Sequence, residues 1–326
     1  MNILMSGSGS GGHIYPCISL YKKLVKKYNV YVLIFKNIDK KIYDENNIKY
    51  FYIDDCESIY KKCSFINKLL CENRIDKVIT FGGKNSLFIN VIAKKNNIDS
   101  FIFEQNIILG KANKINYFLC KKLFTNFKIG LKKEINVGNP NAFNLKMNNN
   151  SKLFKNNNIT ILITLGSLGS SSVNKVIENF IKMNNGYNVI YVSGNNVKTK
   201  VKDDCCTKVY KYYNNLPSLM AKCDLIISRA GASTLSEIIA LNIPSIIIPS
   251  PYVANNHQEK NAKYLKEKEC IELIFEKDLN ENVLLSKIRN LVQNADNYNR
   301  LKTNLANEYL GNKFDLIVSE ICDDNS

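Results

Sequence analysis

Apolar and polar positions alternate regularly along the first half of the chain. Seven short apolar runs predict strands, and they read NILM, NVYVLIF, IKYFYI, KVITF, SFIF, KLFTNF and EINV. Between several of them the apolar residues recur at helical spacing, over Tyr15–Lys27, Ser58–Leu70 and Ser86–Lys95. Strands and helices in alternation predict βαβ units, and therefore a parallel sheet covered by helices.

The same alternation begins again after a polar, asparagine-rich segment, VGNPNAFNLKMNNNSKLFKNNN. Strands are predicted at ITILIT, YNVIYVSG, KVYKYY, CDLIIS and IPSIII, with helices in SSSVNKVIENFI and near residues 233–241 and 255–268. We therefore predict an α/β protein with two Rossmann-like domains, residues 1–145 and 146–326, facing each other across a cleft. The last helical stretch, Asn299–Cys322, is a candidate to cross back to the first domain.

Charge is distributed unevenly between the two halves of the 326-residue chain. Residues 1–150 carry 24 basic and 11 acidic side chains, a net charge of +13, whereas residues 151–326 carry 21 and 18, a net charge of +3. This asymmetry indicates an anionic partner for the first half. No aromatic-basic recognition motif is present, so we predict that the partner is not a nucleic acid.

The cysteines and the apolar runs restrict the class of protein further. Ten cysteines occur without a C-x-x-C pair, which is typical of reduced thiols in a cytosolic protein. No apolar run approaches the roughly 18 residues that a membrane-spanning helix needs. No D-x-D triplet is present to hold a divalent metal, and we predict no metal site.

A glycine-rich turn, SGSGSGGHIYP, follows the first predicted strand. Gly7, Gly9 and Gly12 satisfy the pattern G-x-G-x-x-G between a strand and a helix. A dinucleotide site also needs an acidic residue at the end of the next strand to bind the ribose, and Lys36 stands there. The turn therefore does not favour a nicotinamide cofactor, and we predict none.

The chain has only two histidines, His13 and His257. His13 lies at the start of the helix after the glycine turn, where the helix dipole disfavours a protonated ring. A neutral imidazole there can accept a proton, although a histidine at this position can also be a simple helix cap. Gly11 and Gly12 expose backbone N–H groups of the kind that bind phosphate.

Two further turns in the second half carry candidate ligand-binding groups. The turn LGSLGSS offers another cradle of N–H groups, with Ser167 as an added hydroxyl. In SRAGASTLSE, Arg229 could meet an anion, and Ser233 or Thr234 could cap the following helix. Glu237 either completes a capping box with one of them or accepts hydrogen bonds from two ribose hydroxyls.

Six segments occur in an order and at a spacing that resemble one enzyme family. They are GSGSGGHIYP, FEQN, VGNP, LGSLGS, SRAGASTLSE and PSPYVANNHQEKNA, within about residues 2 to 265. Together they are similar to the peptidoglycan N-acetylglucosaminyltransferases of glycosyltransferase family 28. The resemblance implies a GT-B fold and the inverting transfer of N-acetylglucosamine from UDP-GlcNAc to the 4-hydroxyl of the muramyl sugar of lipid I. It further implies a peripheral protein on the cytoplasmic face of the cell membrane.

The resemblance also implies roles for individual residues. His13 corresponds to the candidate general base. Donor contacts are implied for Ser10, Gly11, Gly12, Asn106, Ser167, Tyr213, Arg229, Ala232, Ser233, Thr234, Leu235, Ser236, Glu237, His257 and Gln258. In the absence of a metal, the glycine turns, their helix dipoles and Arg229 would stabilise the leaving UDP.

This chain departs from the family pattern mainly on the acceptor side. Phe103 replaces the usual histidine before E-Q-N, Lys84 and Asn85 occupy the loop FGGKNS, and Ala142 replaces an arginine after G-N-P. The acceptor therefore stays open, and a diacylglycerol is the alternative within the same enzyme class. A non-catalytic nucleotide-sugar-binding partner of a transferase is the alternative outside it.

The positive first domain is expected to lie on an anionic membrane surface, where a lipid-linked acceptor is held. The segment SIYKKCSFINKLLCEN is the predicted contact. Its apolar and basic side chains are Ile59, Phe65, Ile66, Leu69 and Leu70, with Lys61, Lys62 and Lys68. The alternative is that this apolar stripe packs on the sheet of its own domain.

Overall fold

The computed structural model describes residues 1–146, 153–166, 169–183 and 186–323. The chain forms two compact units. Unit 1 comprises Met1–Phe143 together with Leu310–Ser326, and unit 2 comprises Asn144–Tyr309. Each unit contains one parallel β-sheet with helices packed against it.

The sheet of unit 1 has seven strands in the order β3-β2-β1-β4-β5-β6-β7, and every pairing is parallel. Its strands are β1 (Asn2–Ser6), β2 (Asn29–Ile34), β3 (Phe51–Tyr52), β4 (Lys77–Thr80), β5 (Asp99–Glu104), β6 (Lys122–Thr125) and β7 (Glu134–Asn136). All seven apolar runs of the first half form these strands, as predicted. Most of their apolar side chains are fully buried, because helices cover both faces of the sheet.

The helices of unit 1 that precede the second unit are α1 (Gly11–Leu24), α2 (Asn37–Glu45), α3 (Ile59–Glu72), α4 (Ser86–Lys95) and α5 (Lys111–Leu119). The three predicted helices correspond to α1, α3 and α4. The sequence pattern did not predict α2 and α5. Both are mostly polar, and the residues that they bury are Asp39 and Tyr43 in α2 and Asn113 and Asn116 in α5, so three of the four positions that face the core carry polar side chains.

The sheet of unit 2 has six parallel strands in the order β10-β9-β8-β11-β12-β13. They are β8 (Thr160–Thr164), β9 (Asn188–Val192), β10 (Thr207–Tyr210), β11 (Leu225–Ser228), β12 (Ser245–Ile247) and β13 (Glu272–Leu273). The helices are α6 (Ser171–Lys182), α7 (Leu216–Met220), α8 (Ala232–Leu241), α9 (His257–Glu267), α10 (Glu281–Gln293) and α11 (Ala295–Glu308). The short edge strand β13 and the helices α7 and α10 were not predicted.

The last helical stretch, Asn299–Cys322, is two helices rather than one, and the second of them lies in unit 1, in agreement with the predicted return to the first domain. Helix α11 ends at Glu308 in unit 2, and α12 (Phe314–Cys322) packs in unit 1. Between them Gly311 has φ +72°, a left-handed conformation that interrupts a right-handed helix. The buried side chains of α12, Ile317 and Ile321, belong to a core cluster of unit 1.

Helix α3 is not the membrane-contacting stripe that was predicted. Ile66, Leu69 and Leu70 are buried in the core cluster that contains strand residues of β1, β2 and β4. Lys62 is buried too, and its ammonium group donates to the backbone carbonyl of Asp55 at 2.9 Å. The alternative, that the stripe packs on its own sheet, is therefore correct for most of its apolar residues, while Ile59, Lys61 and Lys68 are exposed. None of the helices in the described ranges is long and apolar enough to cross a membrane.

Candidate active site

The glycine turn of unit 1 is shaped by close backbone contacts between β1 and α1. A Cβ atom on Gly7 would lie 2.5 Å from both the carbonyl oxygen of His13 and Cys17 Cβ, so only glycine fits. Gly9 has φ +99°, which other residues rarely adopt. Helix α1 then starts at Gly11. Its N-cap residue, Ser10, makes no side-chain capping hydrogen bond, which leaves the first amides of the helix available to a ligand.

Two side chains of α2 hold this turn in place. The buried Asp39 carboxylate accepts hydrogen bonds from the Ser8 hydroxyl and, at 3.0 Å, from the Gly9 amide. The Tyr43 hydroxyl donates to the Gly7 carbonyl at 2.6 Å. The buried Asp39 carboxylate therefore organises the turn itself. Asp39 and Tyr43 are four residues apart and so share a helix face, but α2 has to be recognised as a helix before this spacing is informative.

His13 lies between Ser10 and the second glycine loop of unit 1. Its Nδ1 atom is 3.3 Å from Ser10 Oγ. A Cβ atom on Gly82 would lie 3.1 Å from His13 Nε2, and one on Gly83 would lie 3.8 Å from Nδ1. Both glycines have positive φ, +91° and +84°. The bare backbone of this loop therefore leaves the imidazole room to meet a substrate.

The segment FEQN is organised around one buried carboxylate. Glu104 Oε1 accepts from the Asn106 amide at 3.0 Å and from its side-chain nitrogen at 3.2 Å. Glu104 Oε2 accepts from the Gly110 amide at 2.8 Å and from Asn113 Nδ2 at 3.0 Å. The Asn113 side chain also reaches Gly82, because a Cβ there would be 3.6 Å from Asn113 Nδ2. The predicted contact residue Asn106 is thus tied to the same part of unit 1 as His13.

Two of the departures from the family pattern lie in the core. The Phe103 ring is buried and stacks on Phe81 with centroids 5.0 Å apart. Ala142 is buried at the end of the short 3-10 helix Pro140–Ala142. Neither side chain is available to a substrate, so the change at Phe103 is one of core packing.

The other departures, Lys84 and Asn85, bind Asp55. Lys84 Nζ lies 2.9 Å from Asp55 Oδ2, and Asn85 Nδ2 donates to Asp55 Oδ1 at 2.8 Å. Partial burial acts to raise the pKa of Asp55, but these hydrogen bonds and the charges of Lys84 and Lys62 outweigh it and lower the pKa. The ionised carboxylate therefore anchors the second glycine loop to the β3–α3 connection.

The glycine-rich turn LGSLGSS of unit 2, a candidate phosphate-binding turn, joins β8 to α6. Gly166 and Gly169 have φ +88° and +76°, and a Cβ on Gly169 would lie 2.6 Å from the Ser193 carbonyl oxygen. Ser170 is the N-cap of α6 and makes no side-chain capping hydrogen bond. The predicted contact Ser167 lies outside the described residues. The described part of the turn has the close backbone packing and the open helix start that a phosphate site requires.

Helix α8 begins two or three residues earlier than the capping predictions required. Its N-cap is Gly231, so neither Ser233 nor Thr234 is the cap, and Glu237 is the sixth helical residue. The capping-box alternative for Glu237 is therefore wrong. Within the described chain, the buried Ser233 hydroxyl oxygen has no hydrogen-bond partner.

The other predicted residues of α8 contribute mainly to packing. Leu235 is fully buried, and the Ser236 hydroxyl donates to the Ala232 carbonyl one turn back at 2.7 Å. Their side chains are directed into the helix packing. We therefore expect that any contact they make with a ligand involves the backbone.

The Glu237 side chain is half-buried and has an unusual electrostatic state. Burial raises the pKa of its carboxyl to about 8. Across the described ranges, neither a hydrogen bond nor an ion pair engages this carboxyl group. A desolvated carboxyl group without a partner is suited to binding hydroxyl donors of a ligand.

Arg229 is occupied by protein groups. Its guanidinium is buried, with Nη1 2.7 Å from Glu276 Oε2 and donating to the Ile248 carbonyl at 3.1 Å. Glu276 begins the 3-10 helix Glu276–Asp278, which follows β13. The positive charge that was expected to meet a diphosphate is already matched by this carboxylate.

The remaining predicted residues of unit 2 lie at the start of α9 and after β10. His257 Nδ1 is 2.8 Å from the Ala254 carbonyl oxygen, and Gln258 Oε1 accepts from the Ser250 amide at 2.9 Å. These two contacts fix the loop that leads into α9. The Tyr213 ring stands edge-on to Tyr210, with centroids 5.1 Å apart. A search of the described residues finds no cluster of three acidic, histidine or cysteine side chains that could hold a metal ion.

The architecture and these turns define a glycosyltransferase of the GT-B class. Family models place the chain: residues 3–125 match the glycosyltransferase family 28 N-terminal domain and residues 160–319 match the C-terminal domain. The chain belongs to glycosyltransferase family 28.

Curated relatives match nearly the whole chain. A UDP-N-acetylglucosamine–N-acetylmuramyl-(pentapeptide) pyrophosphoryl-undecaprenol N-acetylglucosamine transferase from Caldicellulosiruptor saccharolyticus is 31% identical, covering 92% of each chain. The enzyme of the same name from Bacillus cytotoxicus is 30% identical, covering 95% of each.

Solved structures share the fold at lower sequence identity. The crystal structure of Acinetobacter baumannii MurG superposes with a TM-score of 0.81 at 20% identity, covering 98% of this chain and 99% of that one. The S. aureus MnaA–UDP structure gives a TM-score of 0.72 at 14% identity, covering 98% and 95%. The predicted GT-B class is confirmed.

Proposed function

We propose that this protein transfers N-acetylglucosamine from UDP-GlcNAc to the 4-hydroxyl of the muramyl sugar of lipid I, forming lipid II in peptidoglycan synthesis. Family 28 models match both units, and the curated relatives that cover over nine-tenths of the chain are named for this transfer. The donor is bound chiefly by unit 2, and unit 1 provides the base.

The observation that carries the donor assignment is the Glu237 carboxyl. It has no partner among the described protein groups, and burial raises its pKa to about 8. Vicinal ribose hydroxyls are two fixed donors that a carboxylate can accept together. The Ser233 hydroxyl, buried without a partner earlier in the same helix, adds a group suited to a phosphate oxygen.

In the proposed reaction, His13 removes the proton from the acceptor hydroxyl. The Ser10 hydroxyl, 3.3 Å from Nδ1, helps to orient the imidazole, and Nε2 is assigned as the atom that takes the proton. The hydroxyl oxygen forms a bond to the anomeric carbon while the bond from that carbon to the UDP oxygen breaks. The proton remains on His13 and the electron pair leaves with UDP. Attack opposite the leaving group inverts the anomeric centre.

Stabilisation of the leaving diphosphate is assigned to backbone amides. Helices α6 and α8 start at Ser171 and Ala232; the N-cap of α6, Ser170, makes no side-chain capping hydrogen bond, and the N-cap of α8 is Gly231, which has no side chain. Their first-turn N–H groups and dipoles are therefore free of the usual cap. Because Arg229 is paired with Glu276, the guanidinium acts on the diphosphate only indirectly.

The acceptor is tested by incubating the protein with labelled UDP-GlcNAc and either lipid I or a diacylglycerol in detergent micelles. We expect glycolipid product and stoichiometric UDP release with lipid I only. Product from diacylglycerol alone would replace the proposed acceptor. Tight UDP binding without transfer to either acceptor would favour the non-catalytic binding partner.

We further propose that unit 1 contacts an anionic membrane through the outer face of α5, on the cytoplasmic side. Ile115 and Phe118 are 53% and 81% exposed, and Lys111 and Lys114 are exposed on the same face, at i, i+3, i+4 and i+7 spacing. The neighbouring helix α4 is joined to α5 by a hydrogen bond from Asn116 Nδ2 to Ser86 Oγ at 2.8 Å, and it adds exposed Val91, Lys94 and Lys95.

This α5 face combines the two contributions that interfacial binding needs. Its apolar side chains can enter the headgroup region, and each nearby lysine contributes on the order of 1 kcal/mol at an anionic surface. The net charge of +13 over residues 1–150 acts in the same direction. A lipid-linked acceptor cannot leave the bilayer, so an enzyme that uses it has to bind there.

A further inference from the structure

A chain of polar contacts connects three separate segments of unit 2. Ser172 is the second residue of α6, and its hydroxyl donates to Glu276 Oε1 at 3.0 Å. The other oxygen of the same carboxylate lies 2.7 Å from Arg229 Nη1. Arg229 stands between β11 and α8, and its Nη1 also donates to the Ile248 carbonyl after β12 at 3.1 Å. Glu276 thus connects the start of α6 with the turn that leads into α8.

The position of this connection matters because of the sheet order. Strands β8, β11, β12 and β13 are neighbours, and α6, α8 and the Glu276 turn follow three of them at their carboxyl ends. Each of these turns is joined to its own strand, but their relative positions depend on contacts between them. Gly169 shows how little tolerance the α6 turn has, since a Cβ there would lie 2.6 Å from the Ser193 carbonyl oxygen.

The Arg229–Glu276 ion pair is buried, so it differs from exposed ion pairs, which contribute little to stability. The two side chains are 7% and 11% exposed. Glu276 Oε2 is buried and accepts no hydrogen bond from the described residues, so its contact with Arg229 is mainly electrostatic. Removing either partner leaves an uncompensated charge in a desolvated place, which is strongly unfavourable.

We propose that Glu276 is a positioning residue for the donor diphosphate: through Ser172 and Arg229 it holds the first turns of α6 and α8 at the separation at which their amides bind both phosphates. Arg229 serves the donor through this pair and does not contact it. This inference rests on the proposed function only in taking a nucleoside diphosphate as the ligand of unit 2. It extends that function by assigning the positioning of the two helices to a carboxylate from the segment after β13.

The test measures the dissociation constants of UDP and of uridine by calorimetry for Arg229→Met, Glu276→Met and the double variant. We expect each single variant to bind UDP about tenfold or more weakly, with uridine affinity changed less than about twofold. We expect the double variant to bind UDP no more weakly than the single variant with the lower UDP affinity, because the two side chains act as one unit. Two results would overturn the proposal. One is a double variant whose UDP affinity falls by the product of the two single-variant factors, and the other is Glu276→Met with unchanged UDP affinity.

Direct contact between Arg229 and the diphosphate predicts a different pattern. In that case Arg229→Met costs the same factor in UDP affinity whether or not Glu276 is present. This result, too, would overturn the proposal.

Two further variants separate positioning from folding. Ser172→Ala removes only an exposed hydroxyl, and we expect about threefold weaker UDP binding with an unchanged melting temperature. Glu272→Gln is the matched control, because Glu272 is also a buried glutamate, paired with Lys266 at 3.1 Å and Lys287 at 2.7 Å, at the opposite end of the same segment. We expect Glu272→Gln to leave UDP affinity unchanged. Equal losses in Glu272→Gln and Glu276→Met would show a general effect on folding and would refute positioning.

Failure of the positioning role and failure of the proposed transfer reaction give different experimental results. A wild-type protein that binds UDP and shows this pattern, but does not transfer to lipid I, retains the inference and loses the proposed acceptor. A wild-type protein that binds no UDP loses both.

Discussion

Replacing Glu237 with glutamine should stabilise the protein at alkaline pH while weakening its interaction with the donor. Glutamine has nearly the same shape, and it cannot ionise. Burial raises the pKa of the native carboxyl to about 8, whereas a solvated glutamate titrates near 4.5. Between these values the folded state holds a proton that the unfolded state has released. Stability is therefore complete below pH 4.5 and falls as the pH rises through 8.

The size of the effect follows from the width of that window. One pKa unit corresponds to about 1.36 kcal/mol, so at pH 7 the unfolded state gains at most about 3 kcal/mol from releasing this proton. The side chain is half-buried, and contact with water reduces the gain to about 2 kcal/mol. Glu237→Gln removes this term. For a unit of 166 residues, a gain of about 2 kcal/mol corresponds to an increase of roughly 4–8 °C in melting temperature.

Ligand binding should respond to pH in the opposite direction. Ribose hydroxyls donate to the carboxylate, so they bind the ionised form, and the wild-type affinity should rise as the pH increases from 6.5 to 8. Uridine is the appropriate probe because it has no phosphate group, and its uracil N3–H ionises only at a higher pH than this range. We expect its affinity for the wild type to rise about tenfold over this interval, and Glu237→Gln to bind weakly with little dependence on pH.

The measurements, on the wild type and on Glu237→Gln, are thermal melts at pH 5, 7 and 9 and uridine calorimetry at pH 6.5, 7 and 8. The reasoning about Glu237 is wrong if both proteins show the same pH dependence of melting. It is also wrong if glutamine destabilises the protein equally at all three pH values, since that result would indicate a hydrogen-bonding role in the helix. Unchanged uridine affinity with altered melting would retain the electrostatic account and exclude the ribose contact.

The other predictions concern the base, the loop beside it and the membrane. His13→Ala should lower kcat by roughly 10²–10⁴ with UDP affinity changed less than about threefold, and near-normal turnover would eliminate its role as base. Gly82→Ala should lower kcat about tenfold or more, since its Cβ would crowd His13 Nε2 at 3.1 Å and its φ is +91°; normal kinetics would show that Nε2 is not the reacting atom. Replacing Ile115 and Phe118 with serine should reduce sedimentation with anionic vesicles about tenfold, whereas Ile59→Ser, on the exposed start of α3, should not. Equal binding of the wild type to neutral and anionic vesicles, or no weakening by salt, would refute the electrostatic attachment.

The sequence by itself determined most of the secondary structure and the order of the chemical segments. Apolar runs predicted all seven strands of unit 1, because central strands of a parallel sheet are buried on both faces and are therefore continuously hydrophobic. The glycine turns were recognisable because close backbone approach excludes side chains, as at Gly7 and Gly169. Helix α2 escaped prediction because most of its residues are polar, although Asp39 and Tyr43 of this helix hold the first glycine turn.

Only the tertiary structure decided what each polar or apolar face contacts. Periodicity showed that α3 has an apolar stripe, and the fold showed that the sheet covers it, while α5 presents Ile115 and Phe118 outward. In the sequence, Arg229 was a candidate to bind an anion. The fold places Oε2 of Glu276, 47 residues later in the chain, 2.7 Å from Arg229 Nη1. The raised pKa of the Glu237 carboxyl is caused by its burial in the fold, and the spacing of residues in the sequence does not predict that burial. Local patterns reflect interactions within a turn or two, whereas burial and charge pairing depend on segments that are distant in sequence and become neighbours only in the folded chain.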